Sequence, residues 1–99
     1  MDNHNSKTKD TDLDMFRKKL IFRAWHRGTR ELDLIIGSFA DAHLADFDEG
    51  QLKRFEDLLS ISDPDISNWI TGREELPANM DSDVMQLLIA HKIEGRGRS

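Results

Sequence analysis

The sequence predicts an all-α fold, a compact single-domain bundle of five helices, and three observations predict it. Apolar residues recur at the three-and-four spacing of a helix. Neither a sustained period-two alternation nor an Asn-Gly or Asp-Gly hairpin signal occurs. Stops and caps at Gly28, Asp48, Asp63-Pro64 and Gly72 punctuate the chain into helical lengths.

The first helix is expected over residues 12–26. Leu13, Phe16, Leu20 and Ala24 fall at i, i+3, i+7 and i+11, which is one face of a helix. Its second half is apolar on most sides, through Leu20, Ile21, Phe22, Ala24 and Trp25. Such a helix is either central to the bundle or presents part of itself to a partner.

Gly28 is the stop, because glycine takes positive φ at a helix end at little cost. Thr29 is placed to cap the second helix, over 30–44, with Glu31 in the first turn meeting the positive dipole end. Leu32, Ile35, Ile36, Phe39, Ala40 and His43 form its stripe, and Leu34 lies off it.

The third helix starts at Asp48, with Gln51 three residues on as in a capping box. Phe47 and Leu52 are spaced for a hydrophobic staple, and Leu52, Phe55, Leu58 and Leu59 face inward. The fourth opens at Asp63-Pro64-Asp65. Asp63 is expected to cap, Pro64 to take the first helical position, and Asp65 to meet the dipole. Ile66, Trp69 and Ile70 are its apolar face, and Gly72 ends it. Pro77 marks the next loop. The fifth helix, 81–92, places Val84, Leu87, Leu88 and His91 on one face.

Ninety-nine residues make one domain. A chain this short buries well under ~70% of its unfolded surface, so its stability margin is thin. It has no cysteine, hence no disulfide or thiolate metal site. No apolar run approaches the ~20 residues of a membrane helix, so a soluble protein without a membrane partner is expected. Residues 1–11 read as a disordered tail, residues 12–92 as the five-helix domain. Ile93-Glu94-Gly95-Arg96 matches a site used to cleave engineered fusions, and Gly97-Arg98-Ser99 looks like vector sequence; 93–99 is therefore set aside.

Charge is uneven. Residues 1–30 are net +4, residues 31–91 net −11 and residues 92–99 net +2. An acidic body repels phosphate backbones, which disfavours nucleic acid and favours protein partners.

Catalysis needs a nucleophile, a base and an orienting group, or a metal set. His43 and His91 sit at the edges of apolar stripes and read as packing residues. The carboxylates are spread through caps and solvated faces. No His-Glu-x-x-His, paired Cys or Gly-rich phosphate loop is present. No catalytic residue and no metal ligand is therefore assigned. A small helical DNA-binding or general protein-interaction module is the alternative. Arg17, Lys18, Lys19, Arg23, Arg27 and Arg30 form one basic segment, but the later helices able to read a groove are acidic.

What remains is the corner Arg27-Gly28-Thr29-Arg30-Glu31. Arg23 and Arg27 are four apart, Arg27 and Arg30 can reach across the turn, and Glu31 can pair with either. Gly28 leaves a bare spot for close approach of another backbone. The residues alone leave two readings open, a docking surface and an ordinary capped turn.

The segment His26-Arg27-Gly28-Thr29-Arg30-Glu31-Leu32-Asp33 resembles the Arg-Gly-x-x-Glu signature of the succinate dehydrogenase assembly factor family. A second block, Leu58-Leu59 followed by Asp63-Pro64-Asp65-Ile66-Ser67-Asn68-Trp69-Ile70, resembles that family's leucine pair, Asp-x-Asp and Trp stretch. The likeness covers residues 14–91. Gly37 departs from it, since some members carry proline there, a change expected to touch only local helix geometry.

The resemblance implies a factor that binds the flavoprotein subunit of succinate dehydrogenase and promotes covalent attachment of FAD to it. Related flavoproteins such as fumarate reductase are further candidate clients. It implies no cofactor bound stably by this chain, the relevant FAD being the partner's. Arg27, Gly28 and Glu31 match the signature one for one and are the expected partner-binding residues, with Arg23 and Arg30 beside them. A cytoplasmic bacterial monomer is expected.

Overall fold

A computed structural model of the chain describes the backbone of residues 2–98 and the side chains of residues 11–91. Five helices follow in order: α1 Asp2–Trp25, α2 Arg30–His43, α3 Glu49–Leu59, α4 Asp63–Thr71 and α5 Asp83–Arg98. Short 3₁₀ turns, Leu44–Asp46 and Ala78–Met80, precede α3 and α5. Among the described residues no strand occurs, as the spacing predicts.

Two boundaries differ from expectation. The backbone of α1 continues through most of the segment expected to be a disordered tail, and α5 continues to Arg98. The side chains of 1–10 and 92–99, including the segment set aside as vector sequence, lie outside the described residues.

The helices pack through one core. α1 lies on α2 and α3, and α5 closes the bundle against α2, α3 and α4. Leu20 and Ala24 enter from α1, Ile36, Phe39 and Ala40 from α2, Leu52, Phe55 and Leu58 from α3, and Ile66 and Ile70 from α4. Phe39 is the hub. It stacks on Phe55 with ring centroids 5.8 Å apart and meets Phe47 edge-on at 6.2 Å. Full burial of such a ring is worth about 1.5–3 kcal/mol.

On α5 the expected face is rotated: Met85 is buried with Val84 and Leu88, whereas Leu87 is partly exposed. Met85 immediately follows Val84, so the stripe shifts toward it and turns Leu87 outward. His43 and His91 are half-buried packing residues, as expected. The His43 ring lies 4.5 Å from Phe39, and His91 Nε2 is 2.9 Å from Ser38 Oγ.

The capping box forms in full: Gln51 N donates to Asp48 Oδ1 at 2.8 Å and Asp48 N to Gln51 Oε1 at 3.1 Å. Arg17 ties α1 to the turn before α3. Its Nε donates to Leu44 O and its guanidinium to Phe47 O, both at 3.0 Å. The start of α4 differs from the reading of the sequence. Ser62, not Asp63, is the N-cap, and its Oγ accepts from Asp65 N. Asp63 enters the first turn and its carboxylate is freed to turn toward the α1–α2 corner.

Candidate functional site

The corner is built from four residues, His26 to Thr29, between α1 and α2. Gly28 has φ 131°, a conformation closed to most side chains, and a Cβ there would meet nothing within 4 Å. Glycine is required here by the backbone, and the space above it is open. Thr29 occupies the N-cap in extended geometry, but its hydroxyl makes no capping bond. Asp33, one turn into α2, instead ties the preceding turn back onto the helix. Its Oδ1 accepts from Arg27 N at 2.7 Å and Gly28 N at 3.3 Å.

Arg27 overturns an expectation. Its side chain is only 7% exposed and points inward. Nε donates to Asp63 Oδ1 at 3.0 Å, and one terminal nitrogen donates to Leu59 O at 2.7 Å. The other terminal nitrogen donates to Ile61 O and, at 2.7 Å, to Asp63 Oδ1. The guanidinium thus clasps the α3–α4 turn. It does not reach Arg30 or pair with Glu31, and its donors are turned inward. The physical reason is a cluster of acceptors. A carbonyl at the last residue of α3, another in the turn after it and a carboxylate at the start of α4 match the planar fork of arginine.

The other expected residues face outward. Gly28, Arg30 and Glu31 are exposed, and among the described residues neither Arg30 nor Glu31 has an ion-pair partner. Arg23 stands 3.7 Å from Glu56, with both side chains nearly half exposed, an ion pair of small worth. α1 ends before Arg27, so the helical four-residue relation between Arg23 and Arg27 does not hold. The two meet instead around an open hollow of about 280 Å³, with Phe22, His26 and Leu59.

His26 completes the surface. Its ring stacks on Phe22 at 4.1 Å between centroids. Nδ1 lies 2.7 Å from Phe22 O; because a carbonyl only accepts, Nδ1 carries a proton and donates it.

Sequence reasoning missed Asp33 as the clamp of the turn and Asp63 as the partner of Arg27. A carboxylate in the first turn of α2 was a visible signal for the first. Nothing local announces the second, which lies 36 residues from Arg27. Among the described residues no group of His, Cys, Asp or Glu is placed to hold a metal, and no helix is long and apolar enough to cross a membrane.

Comparison with known proteins adds a family. Residues 18–92 match the model of a family described as "Flavinator of succinate dehydrogenase". The chain is 37% identical over 81 residues to a mitochondrial succinate dehydrogenase assembly factor 2 of Dictyostelium discoideum. That match covers 82% of the chain and 57% of the relative. It is 32% identical over 88 residues to the FAD assembly factor SdhE of Acetobacter pasteurianus, covering 89% of the chain and 81% of the relative. A mitochondrial assembly factor 2 of Drosophila grimshawi is 35% identical over 81 residues, covering 80% of the chain and 55% of the relative. The chain therefore spans little more than half the length of the mitochondrial relatives and most of the bacterial one.

Proposed function

The chain belongs to the succinate dehydrogenase flavinator family, and on that premise we propose that it binds the flavoprotein subunit of succinate dehydrogenase and promotes covalent attachment of FAD to it. The family match over residues 18–92 carries this reading, since it contains the corner and the α4 block that Arg27 ties together. The outward Gly28, Arg30 and Glu31 support it from the geometry.

The chain acts as an assembly factor and not as an enzyme. The partner's FAD supplies the reactive flavin, and bond formation belongs to the partner's active site. This chain contributes binding energy. By holding one conformation of the flavoprotein more tightly than others it raises that conformation's population. A preference of about 1.4 kcal/mol shifts the ratio tenfold.

Each residue then has a defined part. Arg27 and Asp33 fix the shape of the turn, Gly28 lets a partner backbone come close, and Arg30 and Glu31 offer one charge of each sign to it. Arg23 borders the same surface. The chain works as a monomer in the bacterial cytoplasm, a placement supported by the bacterial relative it matches over 81% of that protein's length. Fumarate reductase flavoprotein is a second client on the same chemistry.

The test is reconstitution. Apo-flavoprotein, FAD and the chain are mixed, and covalent flavin is read as fluorescence of the flavoprotein band in a denaturing gel. The chain is expected to raise that fluorescence, and Gly28→Arg to remove the increase. Equal fluorescence with and without the chain would overturn the assignment.

A further inference from the structure

We propose that the outward face of α1 is a second contact surface for the same flavoprotein, fitted to an apolar segment of it flanked by carboxylates. The inference rests on the reading above and extends it beyond the corner.

Met15 and Phe22 are each 63% exposed. Seven residues apart, they share one side of α1. That side is opposite the one through which Leu20 and Ala24 enter the core. His26, stacked on Phe22, extends the line to the corner. Single exposed apolar side chains are ordinary. Two large ones aligned on the pole away from the core belong neither to that core nor to the apolar side chains packed against it. Two open hollows accompany them. One of about 470 Å³ is lined by Met15, Phe16, Lys18 and Lys19 together with Asp12. The other, of about 280 Å³, lies between Phe22, Arg23 and the corner.

The charges beside this line select the occupant. Among the described residues Lys18 and Lys19, and Arg30 past the turn, form no salt bridge. Residues 31–91 are net −11, so Lys18 and Lys19, which line the first hollow with Asp12, stand out against an otherwise acidic stretch of chain. Such a patch steers an acidic partner surface into register. An anionic bilayer would attract the same lysines but would be repelled by the acidic body within a Debye length or so. A protein segment can approach the patch alone. Because the second hollow reaches Arg27, one continuous partner surface can cover both the helix face and Gly28.

The test measures binding of purified flavoprotein subunit to the whole chain, with circular dichroism to verify helicity. Phe22→Asp is expected to weaken binding at least tenfold. Lys18→Glu with Lys19→Glu is expected to weaken it several-fold and to flatten its salt dependence. Unchanged affinity in both variants, with Gly28→Arg still inactive, overturns the second surface and leaves the corner in place. Loss of binding in Phe22→Asp with Gly28→Arg unaffected supports the surface and removes the corner. No binding by the unaltered chain overturns both. Two further outcomes overturn the proposal. In one, Phe22→Asp abolishes adhesion to phosphatidylglycerol vesicles while flavoprotein binding is unchanged. In the other, it abolishes self-association with that same result.

Discussion

The indole of Trp25 is seated on Gly37: a Cβ built on the glycine would stand 2.3 Å from Cδ2 and 2.5 Å from Cε2 of the ring. Gly37 is buried in the middle of α2, where alanine would raise helix propensity by about 1 kcal/mol. The contact reverses that preference. The glycine is therefore a packing device between α1 and α2, which corrects the expectation that this position affects only helix geometry.

Gly37→Ala is accordingly expected to lower stability by about 1–3 kcal/mol, the usual penalty of overpacking. Trp25 should be pushed toward solvent and its emission red-shifted. In a Trp25→Ala background the clash is gone, and the same substitution should become neutral or stabilising by up to about 1 kcal/mol. Denaturant midpoints for the four proteins of this cycle measure the reversal.

Arg27→Ala is expected to cost about 3 kcal/mol, because it strips Asp63 and two carbonyls of a buried cationic partner. Asp63→Asn should cost less, since that side chain is 31% exposed and an amide oxygen still accepts. Urea unfolding with an unchanged m-value would assign both effects to stability. Any loss of flavinylation by Arg27→Ala should then be recovered at lower temperature, where the variant remains folded.

These two contacts mark what the sequence could and could not convey. Local chemistry was legible: the Asp48–Gln51 box, Gly28 and Gly72 at helix ends, and the stripes of α2, α3 and α4 follow from spacing alone. Long-range partners were not. Arg17 bonding to Leu44 and Phe47, or Arg27 bonding to Asp63, depends on which turns the packed helices bring together. A guanidinium reads as surface charge until its acceptors are in place, which is why Arg27 was expected outside. Ser62 caps α4 while the Asp63 carboxylate is held by Arg27, a division of labour that depends on the same long-range contact being in place.

The Arg54–Asp83 link between α3 and α5 sets an acid limit. Hydrogen bonds from Arg54 first, and then from Gln51, hold the Asp83 carboxyl below its ordinary value of about 3.9. A carboxylate with a depressed folded pKa stabilises the protein above the unfolded value and loses that contribution as pH falls through the folded one. Asp83→Asn should therefore lower the melting temperature at pH 6, with the gap to the unaltered protein narrowing below about pH 4. Thermal unfolding followed from pH 6 to pH 2 checks the sign. A gap that widens in acid would contradict it.

Gly28 separates shape from binding. With no atom near its missing side chain, Gly28→Ala and Gly28→Arg carry the same backbone penalty, about 1–3 kcal/mol at φ 131°. Their melting temperatures should agree. Their affinities for the flavoprotein should not, because only arginine fills the space that a partner backbone would enter. Equal affinity in the two variants would show that the open space has no occupant.

Asp33 tests whether the turn must be held in one shape. Its single oxygen receives both Arg27 N and Gly28 N, so the corner's backbone direction depends on it. Asp33→Ala leaves those two amides to water at a site that is partly exposed, a cost of about 1 kcal/mol that the bundle tolerates. Asp33→Asn keeps an acceptor oxygen in the same position. If Asp33 acts by positioning Gly28 and Glu31, alanine should weaken flavoprotein binding tenfold or more and asparagine should restore most of it. A merely electrostatic role would make asparagine as poor as alanine. Titrations at two salt concentrations separate these cases, since a positioning defect persists in salt while a lost long-range charge is screened.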